Sequence, residues 1–65
     1  MRIFINGVAE DCPPGTLAEL VARRELPSEA LVVEVNHAII GQDHWSSLQL
    51  KEDDRLELLS FVGGG

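Results

Sequence analysis

A chain of 65 residues, 45% hydrophobic and 25% charged, has room for one folded domain around one small core. Its formal net charge of −6, against five basic residues, excludes the basic patch with which nucleic-acid binders neutralise phosphates, and suits partners with basic docking faces. The single cysteine, Cys12, excludes an internal disulfide, a four-cysteine zinc site and an iron–sulfur cluster, and no apolar run approaches the ~18 residues of a membrane span.

Met1 leads directly into a strand-like pattern, so no signal peptide is expected and a reducing cytoplasm is the expected compartment. In "MRIFIN", Met1, Ile3 and Ile5 alternate with Arg2 and Phe4, the period of a strand with one buried face. Asn6 and Gly7 both tolerate positive φ, which signals a type I′ hairpin. "VAEDC" reads as a short return strand, stopped by Pro13, Pro14 and Gly15.

"TLAEL" opens a helix. Thr16 can cap it, Glu19 completes a capping box, and Leu17, Leu20 and Val21 fall on one face. Arg23 and Arg24 suit the helix C-terminus, and Pro27 prevents continuation. "ALVVEVN" is the next strand, with Val33 and Val35 facing the core. Asn36 and His37 turn the chain into "AII", which ends at Gly41. "QDHWSSLQL" is irregular with one helical turn, pinned by Trp45, Leu48 and Leu50. "KEDD" is a polar turn, and "RLELLSFV" is the last strand, with Leu56 and Leu58 inward. One helix among strands implies an α+β domain: a mixed five-stranded sheet with the helix across one face. The order is that of a β-grasp, ubiquitin-like fold, with a domain over 1–62 and a flexible glycine tail over 63–65.

The side chains that could carry chemistry are few and poorly grouped. Cys12 could be a reactive or persulfide-bearing thiol. No histidine or basic residue adjoins it to lower its pKa, so it reads as a small, partly buried residue at a strand end. His37 and His44 lack metal-ligand spacing, and Glu52, Asp53 and Asp54 lack calcium-loop spacing, so no metal site is expected. Ser46, Ser47 and Ser60 have no nucleophile-elbow context, Trp45 reads as a core anchor, and neither a Walker loop nor a dinucleotide fingerprint is present. An enzyme with its own active site is not expected.

The tail is different. Leu59 and Phe61 alternate with Leu56 and Leu58, so they point away from the helix and form an apolar docking surface. Beyond it, the four residues Val62–Gly65 reach about 13–14 Å if extended. Glycines fit a channel too narrow for side chains, and the tail's useful group is then the carboxylate of Gly65. Adenylation by ATP would convert that inert group into an acyl donor.

With "MRIFING", "TLAELV", "VVEVNHAIIGQDHW" and "DDRLELLSFVGGG" in this order, nearly the whole chain resembles the ThiS family, the sulfur carriers of bacterial thiamine biosynthesis. Ubiquitin shares the fold and the Gly-Gly end. The resemblance implies a protein co-substrate that binds no cofactor of its own. A ThiF-like adenylating enzyme would use Mg-ATP to make an acyl-adenylate on Gly65. Sulfur from a cysteine desulfurase would replace AMP to leave a thiocarboxylate, and thiazole synthase would take the sulfur. Gly64 and Gly63 would belong to the tail needed for activation, and Leu59 and Phe61 fall where related carriers dock. Neither nucleic acid nor a membrane is an expected partner. Two positions depart from the family: Gly63 is a third glycine, and Asp53 replaces a frequent turn glycine, which aspartate's tolerance of positive φ accommodates. Three other readings stand beside this one. They are a carrier for another pathway, such as a molybdopterin-synthase-like small subunit, a ubiquitin-like modifier of lysines, and a non-covalent β-grasp adaptor.

Overall fold

A computed structural model describes residues 1–60; Phe61, the domain boundary set at 62 and the glycines 63–65 lie outside the described residues. Five strands and one helix follow in the order β1 (Arg2–Ile5), β2 (Val8–Asp11), α1 (Leu17–Arg23), β3 (Leu31–Val35), β4 (Ala38–Ile40) and β5 (Arg55–Ser60). Single 3₁₀ turns at Ser28–Ala30 and Gln42–His44 complete it, the second being the helical turn expected before Trp45.

The two hairpins close as their sequences dictate. Asn6 and Gly7 have φ of 51° and 83°, and Asn36 and His37 have 51° and 72°. Positive φ at both central residues gives the turn a twist matching that of its strands. The sheet order is β2-β1-β5-β3-β4. β5 therefore lies at the centre, parallel to β1 and antiparallel to β3. Its register sets Leu56 beside Ile5 and opposite Val35, and Leu58 opposite Val33.

Those residues form the floor of the core, with Ile3 and Leu31 beside them; Leu17, Leu20 and Val21 of α1 close it from above. Trp45 and Leu50 seal one side, and the Trp45 indole Nε1–H donates to the Ile40 carbonyl at 2.9 Å. Leu48 packs half-buried against the same cluster. The helix start is fully provided with acceptors. The Leu17 and Ala18 N–H groups donate to the Leu48 and Trp45 carbonyls, and the Glu19 N–H donates to Thr16 Oγ1. The Glu19 carboxylate accepts in return from the Thr16 N–H at 2.8 Å, closing the capping box. A Cβ at Gly15 would come within 2.5 Å of that carboxylate, so this glycine makes room for the box; β2 has already ended at Asp11.

The other end of α1 stops earlier than Pro27 requires. Glu25 takes φ of 55° and its N–H donates to the Ala22 carbonyl, a left-handed cap made without glycine. Arg24 beside it pairs with Glu10 of β2 at 2.9 Å, tying the helix end to the sheet edge.

"KEDD" corrects one expectation. Glu52 and Asp53 are exposed, but Asp54 is only 6% exposed and faces inward. Its carboxylate accepts from the Lys51 N–H at 2.8 Å and from Asn36 Nδ2 at 3.0 Å. Two donors satisfy the buried charge, which local sequence pattern alone does not reveal. Asp53 adopts φ of 67°, the conformation that a turn glycine would supply.

Candidate functional site

The helix covers one face of the sheet. On the other, the strand registers define a surface. Leu59 lies opposite Val32, Glu57 opposite Glu34, and Ile39 on the far side of Glu34. Leu59 is 49% exposed and Ile39 is 72% exposed, while Leu56 and Leu58 of the same β5 strand are buried. The expected facing of Leu59 is therefore found. Its burial would leave the core-facing parity of β5 broken, so its exposure follows directly from strand period.

The surface changes character along the strands. Val32 and Leu59 make an apolar end, close to where β5 leads towards the tail, and Ile39 stands at the edge of the next row. Glu34 and Glu57 stand side by side next to it. Like charges directly opposite each other are unfavourable within a sheet, and neither makes an ion pair among the described residues. At the other end Phe4 lies between two guanidinium groups, with Arg55 4.3 Å and Arg2 5.5 Å from the ring centre. Arg2 also donates to Asp53 at 2.7 Å, and that bond raises the pKa of its guanidinium above the ordinary value. A concavity of about 200 Å³ opens at this end, beside the two glutamates, lined by Phe4, Glu34, His37, Arg55 and Glu57 among others.

β5 is held on both flanks by the asparagines of the two hairpin turns. Asn36 Oδ1 accepts from the Arg55 N–H at 3.0 Å, at the start of the strand. Asn6 Oδ1 accepts from the Leu58 N–H at 2.9 Å, and Asn6 Nδ2 donates to the Leu58 carbonyl at 3.3 Å. Sequence reasoning gave both asparagines a turn role only. The pairing of Asn6 with Leu58 spans 52 positions, so no local signal announces it.

The remaining candidates are scattered. Cys12 is half-buried just past β2, its N–H donating to the Met1 carbonyl at 2.8 Å. His37 is exposed in a hairpin turn, and His44 is exposed in a 3₁₀ turn with Nε2 3.7 Å from Asp43. Among the described residues no group of three or more His, Cys, Asp or Glu is placed to hold a metal ion. Ser47 donates to the His44 carbonyl, and Trp45 is buried in the core. A second groove of about 320 Å³ runs between α1 and the Gln42–Ser46 segment, on the helix side. Phe61, Gly63, Gly64 and Gly65 lie outside the described residues. No described helix is long and apolar enough to cross a membrane.

Solved structures share this fold. A crystal structure of the thiamine biosynthesis protein (ThiS) from Geobacter metallireducens superposes with a TM-score of 0.85, both chains covered completely at 25% identity. A solution structure from the same organism gives 0.81 over all of this chain and 88% of that one, also at 25% identity. The sulfur carrier protein ThiS of Bacillus subtilis is 37% identical over 51 residues, covering 78% of this chain and 77% of that protein. A thiazole synthase of Magnetococcus marinus is 33% identical over 66 aligned positions, which take in all of this chain; the chain spans only 20% of that protein's length. The sequence model of the ThiS family matches residues 3–65, the two glycines at 64 and 65 included, and with the β-grasp sheet in place this chain belongs to the ThiS family.

Proposed function

We propose that this protein carries sulfur on its C-terminal carboxylate in thiamine biosynthesis, as a co-substrate of other enzymes rather than a catalyst. The observation that carries the reading is the course of β5. One strand supplies the centre of the core through Leu56 and Leu58, an exposed apolar contact through Leu59, and the route into "FVGGG". An adenylating enzyme of the ThiF type docks the open sheet face around Leu59, with Phe61 extending the contact. The Gly65 carboxylate attacks the α-phosphate of Mg-ATP, pyrophosphate leaves, and an acyl-adenylate forms. The terminal sulfur of a persulfide formed by a cysteine desulfurase displaces AMP to give an acyl disulfide, and a thiol then reduces that disulfide, leaving the thiocarboxylate on Gly65 and a new disulfide on the donor side.

Thiazole synthase then accepts the tail and takes the sulfur into the thiazole ring. Similarity of the whole chain to one fifth of a protein named thiazole synthase supports that partner over a molybdopterin-synthase partner. The narrowness of glycine fits the transfer: without Cβ atoms, Gly64 and Gly65 can thread a channel and present an unhindered carbonyl.

Chain length tests the reading. Removing Gly65 shortens the tail by about 3.3–3.6 Å, and a misplacement of about 1 Å can lower a rate roughly 100-fold. The shortened protein is expected to fold and dock but to give no pyrophosphate exchange with the cognate adenylating enzyme. Full-length protein is expected to gain the mass of one sulfur in place of one oxygen when ATP and a sulfide source are present. Normal exchange by the shortened protein would overturn the reading.

A further inference from the structure

We infer that Asn6 is a positioning residue for the tail: its side chain acts as a missing piece of strand that holds the second half of β5 on course. This rests on the reading that the tail is activated by a docked enzyme. β1 accompanies β5 only briefly. The Phe4 and Asn6 N–H groups donate to the Asp54 and Leu56 carbonyls, and the main chain then turns away into the hairpin. On that flank Leu58 would present both its N–H and its carbonyl to no strand. The Asn6 carboxamide takes both, at 2.9 and 3.3 Å, and so imitates the acceptor and donor of one further β1 residue.

The other flank of β5 remains paired with β3 through Leu59–Val32 and Ser60–Leu31. A strand held on one flank alone can swing about that ladder. Leu58 is followed at once by Leu59, the docking side chain, and the tail continues two residues later. A change of direction at Leu58 shifts the point from which the seven residues up to Gly65 set out. Asn36 offers the internal comparison. It has the same φ of 51°, stands in the equivalent turn, and also bonds β5, but at Arg55, the end farther from the tail.

The test compares Asn6→Gly with Asn36→Gly. Glycine keeps the positive φ in each turn and removes only the side chain. Both variants are assayed where each is fully folded. Asn6→Gly is expected to lower kcat for adenylation by about 10-fold or more with KM little changed, since misplacement rather than docking is the loss. It is also expected to speed hydrogen exchange at the Leu58 amide. Asn36→Gly is expected to lose stability while keeping kcat. An unchanged kcat or a still-protected Leu58 amide in Asn6→Gly overturns the inference, as does an equal kcat loss in Asn36→Gly. Wild-type protein that the enzyme fails to adenylate overturns the functional reading and this role with it. Wild-type activation alongside full activity of Asn6→Gly overturns this role alone.

Discussion

Adjacent leucines on β5 are expected to fail in opposite ways when altered. Leu58 sits in the core, opposite Val33, and Leu59 lies on the open face. Leu58→Ala removes three carbon groups from a dry environment, worth about 2.4 kcal/mol at about 0.8 kcal/mol each. The cavity left behind raises the loss, and measured Leu→Ala costs of about 2–5 kcal/mol bracket the result. Leu58 keeps slight contact with solvent, so about 2–4 kcal/mol is the expected range. A domain of this size has roughly 3–10 kcal/mol of stability in all, at about 0.05–0.15 kcal/mol per residue. The melting temperature should fall by about 8–32 °C, at about 4–8 °C per kcal/mol. Leu59→Asp gives up only the buried half of its side chain and should cost about 1 kcal/mol or less, yet it sets a charge into the apolar contact and should abolish binding to the adenylating enzyme. Trp45, the sole tryptophan and buried, reports urea unfolding by its fluorescence, and calorimetric titration reports docking. Equal destabilisation by the two substitutions, or normal enzyme binding by Leu59→Asp, would refute the assignment of faces.

Asp54→Ala is expected to cost about 2–4 kcal/mol in urea unfolding, because the Lys51 N–H and Asn36 Nδ2 lose their acceptor together. Thr16→Ala should cost about 1 kcal/mol through the lost cap, visible as a melting temperature lower by about 4–8 °C, and Thr16→Ser should restore it. In the tail, Gly64→Leu should block thiocarboxylate formation by bulk and Gly63→Ala should permit it, as read by intact mass after the coupled reaction.

Local chemistry announces itself in the sequence, and distant pairings do not. Asn6-Gly7 and Thr16 through Glu19 carry their structures within two to four residues, because turn conformation and capping are decided by neighbours. Strand period likewise placed Leu56, Leu58 and Leu59 on their faces. Asp53 took the positive φ that a replaced glycine implied. Asp54 looked like one more solvated carboxylate in "KEDD", since its partner Asn36 lies 18 positions away. The clamp from Asn6 to Leu58 was hidden for the same reason, and so was the acidic pairing of Glu34 with Glu57. The left-handed cap at Glu25 was masked by Pro27, which gave a sufficient but later reason for the helix to end.

The sheet order has a consequence for how the molecule comes into being. β1 with β2 and β3 with β4 are local hairpins, each able to close over a two-residue turn. Among the described residues nothing joins the two hairpins edge to edge except β5. That strand is the last of the five to leave the ribosome, and its pairing with β1 closes a loop of some fifty residues, the slow step in a topology of this kind. A nascent or truncated chain lacking β5 is therefore two unsupported ribbons with half a core. The strand that leads towards the C-terminal glycines also completes the sheet, so a chain without that strand lacks both the route to its tail and the middle of its fold.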